Sequence, residues 1–358
     1  MPGMDEQSLW DLRSHHNGRT GYIDRSGNWA IEPRFDQAYA FDGDRAAAVF
    51  QGRWGTLDLK GQWTHAPGEV SHISTYGEGP LRAQVGQKWG LLDERGRWIA
   101  QPQFTFIRGF SNDRCVAMHD GLYGCLDANF RWIIEPRFQY LGAFCRGLAV
   151  AKLPGGSYGY IDENANWIIQ PQFSTAHSFQ GDETDTAVVG LRWKDGSYQE
   201  GYIDRGGRWF IEPSFKSASG FKQGAAVCSR EDPGDPYPLD WPCGLIDTSG
   251  EWVVEPRFEN LWIAGDDLFA AKHDGCWGFI DRCGNWLLEP VLDMISHVED
   301  GLIEAADDRR GILSRAFEWV VDPIYDAVEI RGELISAVYF GRQCYLDRNG
   351  KSVTGWFL

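Results

Sequence analysis

The sequence predicts an all-β fold of about ten tandem units of roughly 34 residues, and three observations carry this expectation. First, one nine-residue phrase recurs, with its leading Gly at Gly21, Gly55, Gly90, Gly124, Gly159, Gly201, Gly244, Gly278 and Gly311 and a degenerate copy at Cys344. Second, the starts fall 34, 35, 34, 35, 42, 43, 34, 33 and 33 residues apart, a period at which supersecondary units close their cores only against neighbours. Third, the apolar runs are too short for helices and are broken by turn signals. Each unit is therefore expected to be a short antiparallel three-stranded meander, the units stacking as an open twisted β-repeat array. The alternative is a β-propeller-like ring; it is less favoured because a propeller blade usually takes four strands and 40 or more residues.

Within a unit the elements follow in order. In the second unit the expected strands are Ala46–Phe50, Trp54–Leu59 and Gln62–His65, separated by the turn sequences QGR and KGQ. A return segment with Pro and an aromatic follows each meander, as in EPRFDQAYAF from Glu32 to Phe41. The in-phase Asp (Asp24, Asp58, Asp93, Asp127, Asp162, Asp204, Asp247, Asp281 and Asp347) could form a cation ladder. In DRSG, DERG, DTSG and DRNG, however, it stands three before Gly, where its side chain caps a tight turn, so a structural role is expected. DENANW at Asp162 lacks the Gly and distal Glu of a calcium loop.

Five residues after that Asp stands a Trp (Trp29, Trp63, Trp98, Trp132, Trp167, Trp209, Trp252, Trp286 and Trp319). A ligand-binding stripe rarely needs every unit, whereas a core seam between units does. Four positions on, an in-phase Pro from Pro33 to Pro323 is expected to end a strand. The Phe two further, as at Phe35, Phe138 and Phe258, should tuck the return segment onto the core. The EPRF copies place Arg34, Arg137 and Arg257 beside Glu32, Glu135 and Glu255, expected as exposed ion pairs across one strand.

These residues carry a family resemblance. The chain resembles the WG-repeat (KWG) family of bacterial β-repeat proteins, through Trp54-Gly55, Trp89-Gly90 and Trp277-Gly278, the aromatic variants Tyr123-Gly124 and Tyr158-Gly159, and the GYID, EPRF and FxxGxAAV elements. The last two units depart from it, with Ser314 for Asp, Cys344 for Gly and Ser352 for Trp, as capping units do. The domain organisation expected is an N-terminal tail over 1–8 and a single repeat array over 9–358, with degenerate terminal units from about 301. The resemblance implies an interaction module associated with toxin, defence or signalling systems, and no enzyme activity.

Charge refines the expectation. The chain carries 34 Lys and Arg against 51 Asp and Glu, a formal net charge of −17. Residues 1–180 hold 19 acidic and 17 basic side chains and residues 181–358 hold 32 and 17, so the excess sits in the second half. Such a field repels nucleic acid and acidic membrane and steers a basic partner in. Both long spacings insert residues at one point in the unit, near 192–201 and 230–242, the second loop being acidic and rich in Pro and aromatics. The partner-binding candidates are accordingly Tyr198, Glu231, Asp232, Asp235, Tyr237, Asp240, Trp241, Asp266, Asp267, Asp307 and Asp308. The expected function is a non-catalytic protein–protein interaction module, an immunity protein neutralising a basic toxin through the acidic C-terminal half. The alternatives are a defence or signalling scaffold, or a lectin-like binder of a glycan or small ligand.

No catalytic residue, metal site or cofactor is assigned. The eight His lack HExxH or HxH spacing, and no nucleophile elbow, phosphate loop or dinucleotide fingerprint is present. The eight Cys form no CxxC pair and are expected as reduced, mostly packed thiols. The opening MPGMDEQSLW has no apolar core of a leader and no run of 18 apolar residues occurs, giving a cytoplasmic expectation.

Overall fold

Ten small antiparallel sheets make up the described residues, each in simple sequence order. The computed structural model describes residues 13–354 apart from 17, 25–27, 76–79, 94, 112, 180–183, 232–240 and 266; the expected tail at 1–8 lies outside them. Among the described residues the secondary structure is strand and turn without helix. The chain divides into two compact units, one of 1–112, 117–120 and 299–358 and the other of 113–116 and 121–298.

The fifth sheet shows how the sequence makes one of these elements. Its strands are Tyr140–Leu141, Leu148–Lys152, Tyr158–Asp162 and Trp167–Phe173. The last three are the meander expected from sequence. The first is the return segment, which pairs Tyr140 with Lys152 and so supplies a fourth strand. Eight of the ten sheets contain four strands; the first and the last contain three among the described residues. The return segment is short and follows Pro, which is why pattern alone did not mark it as a strand.

The in-phase Pro does not end the fourth strand; it lies inside it, as Pro171 does in Trp167–Phe173. This strand is an edge, where a missing N–H costs no ladder bond. It also bulges there. Tyr158 pairs with Phe173 and Tyr160 with Ile169, so two steps on one strand face four on the other. The bulge lies on Gly159, where an added Cβ would stand 2.6 Å from the Ile169 oxygen and 2.8 Å from the Pro171 nitrogen. That close approach explains the repeated Gly. The tenth sheet tests the explanation: its bridge from Leu346 to Ser352 does not extend into a fourth strand among the described residues, and Cys344 is buried where Gly would otherwise be required.

The in-phase Asp caps its turn. Asp162 Oδ1 accepts the backbone N–H groups of Asn164 at 2.9 Å and Asn166 at 2.8 Å, and Asp127, Asp204 and Asp281 repeat the arrangement. Ser314 Oγ fills the same role with longer bonds of 3.2 and 3.3 Å. The Asn166 side chain, then its backbone N–H, hold the Asp162 carboxyl below its ordinary range, and Asn285 does the same for Asp281. Asp93 is depressed chiefly by the Arg97 backbone N–H, and Asp247 by the Ser249 hydroxyl. Folded-state values below the unfolded one mean stability that is present above about pH 4 and lost as pH falls through the folded values. Acid titration followed by Trp fluorescence should therefore show stability falling only below about pH 4. Asp162→Ala should lower stability by more at about pH 7 than at about pH 3, where the wild-type carboxylate is losing its charge. A deficit of equal size at both pH values would show that the capping charge contributes nothing.

Sheets are joined by a repeated seam. In the second compact unit Phe138 meets Trp167 edge-on at 6.1 Å, Phe173 meets Trp209 at 6.1 Å, Phe215 meets Trp252 at 5.7 Å and Phe258 meets Trp286 at 5.6 Å. Each Trp thus packs on the buried Phe of the preceding sheet, as a core seam requires. Two further latches cross the same seam. Tyr160 and Tyr202, fully buried, donate their hydroxyls to the His177 and Ser219 carbonyls, both at 2.7 Å, and Tyr22 does so to Tyr39. The EPRF arginines are not paired with their Glu neighbours. Arg257 donates to the Gly284 carbonyl at 2.6 Å and Arg137 to Ala165 at 3.3 Å, each lying over its own Phe at about 5 Å, and Arg34 reaches the Gly61 carbonyl. A planar fork that donates to a carbonyl and stacks on a ring explains Arg at this position.

Within the first compact unit the two ends of the chain meet. Ile23 of the first sheet shares a buried cluster with Leu334 and Tyr345 of the last, with Trp29 and Val353 packed against it. An open array would leave these faces apart; the propeller-like alternative requires this contact. Four of the cysteines, Cys115, Cys125, Cys228 and Cys344, are buried, and burial pushes the Cys125 and Cys344 thiols up to about 11.

Candidate interaction surface

An antiparallel sheet of four consecutive strands has two ends. One carries the hairpin between its second and third strands and the passage to the next sheet; the other carries the remaining two hairpins. The second insertion and part of the first occupy the second-to-third hairpin; the rest of the first lengthens the hairpin between the paired residues Ala176 and Val189, which spans three residues more than its equivalents. In the sixth sheet the strands Ala187–Arg192 and Tyr198–Ile203 stay in register out to the Arg192–Tyr198 pair, and the turn closes through Trp193 N–H to the Ser197 carbonyl. In the seventh, the strands stay in register out to the Ser229–Cys243 pair.

The sequence-derived candidates fall into distinct places. Tyr198 is half-buried and donates its hydroxyl to Glu200 Oε1 at 2.5 Å, beside Thr175 Oγ1 at 2.6 Å, while Glu200 Oε2 accepts the Ala218 N–H of the next sheet. Burial, then the bond to Glu200, push the Tyr198 hydroxyl up to about 12. Glu231 and Trp241, the two stems of the acidic loop, converge on Lys216: its ammonium lies 2.8 Å from Glu231 and 5.3 Å from the Trp241 ring centre. Arg230 adds an ion pair to Glu255 at 2.8 Å. The loop stems are therefore pinned to the scaffold. Asp232, Asp235, Tyr237, Asp240 and Asp266 lie outside the described residues. Asp267 stands at the other end of its sheet, in the first hairpin, paired with Arg282 at 2.8 Å. Asp307 and Asp308 are exposed at the second-to-third hairpin of the ninth sheet, in the first compact unit.

Sequence reasoning passed over two exposed aromatics at the same type of hairpin, Trp193 and Phe340. Phe340 was legible in principle. The two-residue turns Gln51-Gly52, Asp120-Gly121 and Asp274-Gly275 all put a polar residue first, and Phe340-Gly341 does not. A cleft of about 510 Å³ in the second sheet was not foreseen either. It opens because the fourth strand stops at His65, after which Pro67 to Ser71 swing away from Arg53 and Trp54. Trp54 is held there by stacking on Tyr39 at 5.5 Å and by the edge of His72 at 5.0 Å. Among the described residues no group of three or more His, Cys, Asp and Glu side chains is placed to hold a metal ion.

The model of the family described as WG containing repeat matches residues 21–54, 89–123, 123–155, 158–188, 201–227, 244–275 and 277–305, more than half of the chain. The chain belongs to the WG-repeat family. No curated protein matches the WG-repeat chain described here. Among solved structures it is similar in fold to a eukaryotic initiation factor, at 11% identity over 96% of this chain and 95% of that one, with a TM-score of 0.53. Looser likenesses are the computationally designed Ika8 protein (13% identity, 98% and 100% covered, TM-score 0.42) and BamB from Moraxella catarrhalis (12%, 88% and 94%, 0.36). At these identities the likeness concerns fold alone. A propeller-like WG-repeat fold of this kind is suited to a binding or protein-interaction module, since its hairpin ends vary while its sheets stay fixed.

Proposed function

We propose that this WG-repeat chain is a non-catalytic protein–protein interaction module that docks a basic partner through its acidic C-terminal half, in the manner of an immunity protein neutralising a basic toxin. The observation that carries the reading is the charge excess: 32 acidic against 17 basic residues over 181–358, with an acidic insertion at a hairpin end whose stems are pinned by Lys216. Fixed stems lower the entropy cost of binding, and a one-signed field raises association rates with an oppositely charged partner. Asp232, Asp235 and Asp240 supply the charge and Tyr237 the amphipathic contact area.

The test is capture of basic proteins from the native lysate at low and moderate salt, followed by association kinetics with the captured partner. Replacing Asp232, Asp235 and Asp240 together with Lys should cut the association rate by about tenfold or more at low salt and flatten its salt dependence, with the melting temperature unchanged. An unaltered rate would show that the acidic loop takes no part in docking.

A further inference from the structure

Phe340 is a bulky residue held where bulky residues are disfavoured. Its φ is 46°, at the first position of a two-residue hairpin turn between Leu334–Tyr339 and Arg342–Asp347. Phe130 and Phe317 also have positive φ, but both are half-buried. Phe340 has no such compensation: it is 72% exposed, the most exposed large hydrophobic among the described residues. Its position is nevertheless fixed. Asp326 Oδ2 accepts its N–H at 2.6 Å, Tyr339 meets its ring at 4.6 Å, and Arg309, itself 3.2 Å from Asp326, lies over it at 5.5 Å. Local strain retained at a fixed, exposed aromatic is the signature of a contact residue.

The same compact unit contains a receptor for it. The open cleft beside Trp54 has about 510 Å³, well above the roughly 150 Å³ that holds a benzene ring; Trp54, Ala66, Pro67 and Val70 give it one apolar wall, and Arg53, His65, Glu69 and Ser71 make the rest polar. Both features stand at the second-to-third hairpin end of their sheets, two sheets apart through the contact of the last sheet with the first. A two-fold axis lying in the plane of that end, midway between ring and cleft and perpendicular to the line joining them, sets each ring against the partner's cleft. The charges agree with such a contact. A chain of net −17 repels its copies, but here the signs are balanced: Asp307, Asp308 and Asp326 stand with Arg309, Arg310 and Arg342 at the Phe340 side, and Arg53 with Glu69 at the cleft. We propose that a second copy of this chain docks on this end, Phe340 of each copy entering the Trp54 cleft of the other.

Sedimentation velocity on the full chain over about 10–100 µM, a range suited to a small interface, tests this. The wild type should dimerise, more so at moderate than at low salt, because screening relieves the repulsion of like net charges. Phe340→Asn, which suits the turn, should remain monomeric throughout while its melting temperature rises by about 2–4 °C. Val70→Lys should also be monomeric, and mixing it with Phe340→Asn should restore partial association, since one intact ring and one intact cleft remain. A wild type that stays monomeric, or a Phe340→Asn variant that dimerises equally, would overturn the proposal. Because this contact strengthens with salt and docking of a basic partner weakens, either can fail without the other.

Discussion

Gly159→Ala should destabilise the protein by about 3 kcal/mol, near the upper end for overpacking, although it adds a single methyl group. The reason is what surrounds the added carbon: the Ile169 oxygen at 2.6 Å, the Pro171 nitrogen at 2.8 Å and Cζ3 of Trp167 at 2.9 Å. Two of these are backbone atoms of a bulged strand and cannot rotate away. The strand must lift, and lifting it draws Trp167 off Phe138 of the preceding sheet. Cys344 provides the internal control. It occupies the equivalent position without a fourth strand over it among the described residues, so Cys344→Ala should cost about 1 kcal/mol, the loss of one buried sulfur. Chemical denaturation of the two variants measures the difference, and equal costs would rule out the bulge as the origin of the repeated Gly.

Trp167→Ala should cost about 3–5 kcal/mol, the range for removing a large aromatic from a packed site. The ring joins a cluster that contains Ile134, Phe138 and Ile161, two sheets contributing to one core. Its removal unpacks both, so amide exchange should speed up in the strand Trp132–Phe138 as well as in Trp167–Phe173. Faster exchange confined to the mutated strand would contradict a seam shared between sheets.

Much of this was legible in the sequence because repetition separates roles. Asp204, Asp247 and Asp281 stand three before a turn glycine, a place taken by Ala165 after Asp162, and local geometry then leaves little freedom for the side chain. Trp167 and Phe138 recur in phase, which marks packing between neighbours. What escaped depends on contacts remote in sequence or on exceptions to a local rule. Pro171 reads as a strand terminator unless the strand is known to be an edge. Arg257 reads as the partner of Glu255 because the Gly284 carbonyl it binds lies 27 residues away. Of the candidate surface, the charge excess and the insertions were visible, whereas the pinning of Glu231 and Trp241 by Lys216 required the fold. Phe340 was missed because the phased phrase of the last unit begins only at Cys344, and the turn before it was not read.

The tyrosine latch has a consequence for where this chain can change length. From Tyr22 to Tyr39, Tyr160 to His177 and Tyr202 to Ser219 the hydroxyl always finds the carbonyl 17 residues on. That interval runs through the turn, the bulged strand and the passage to the next sheet, so it tolerates neither gain nor loss of a residue. The first hairpin and the hairpin between second and third strands lie outside it, and there the repeat has grown: the 43-residue spacing in the second-to-third hairpin alone, the 42-residue spacing in both. The protein thus behaves as a ruler with two elastic divisions per mark. Foreign peptides grafted between Trp193 and Ser197 would be displayed without disturbing the frame, whereas a single residue added beside Phe173 would throw every later sheet out of step.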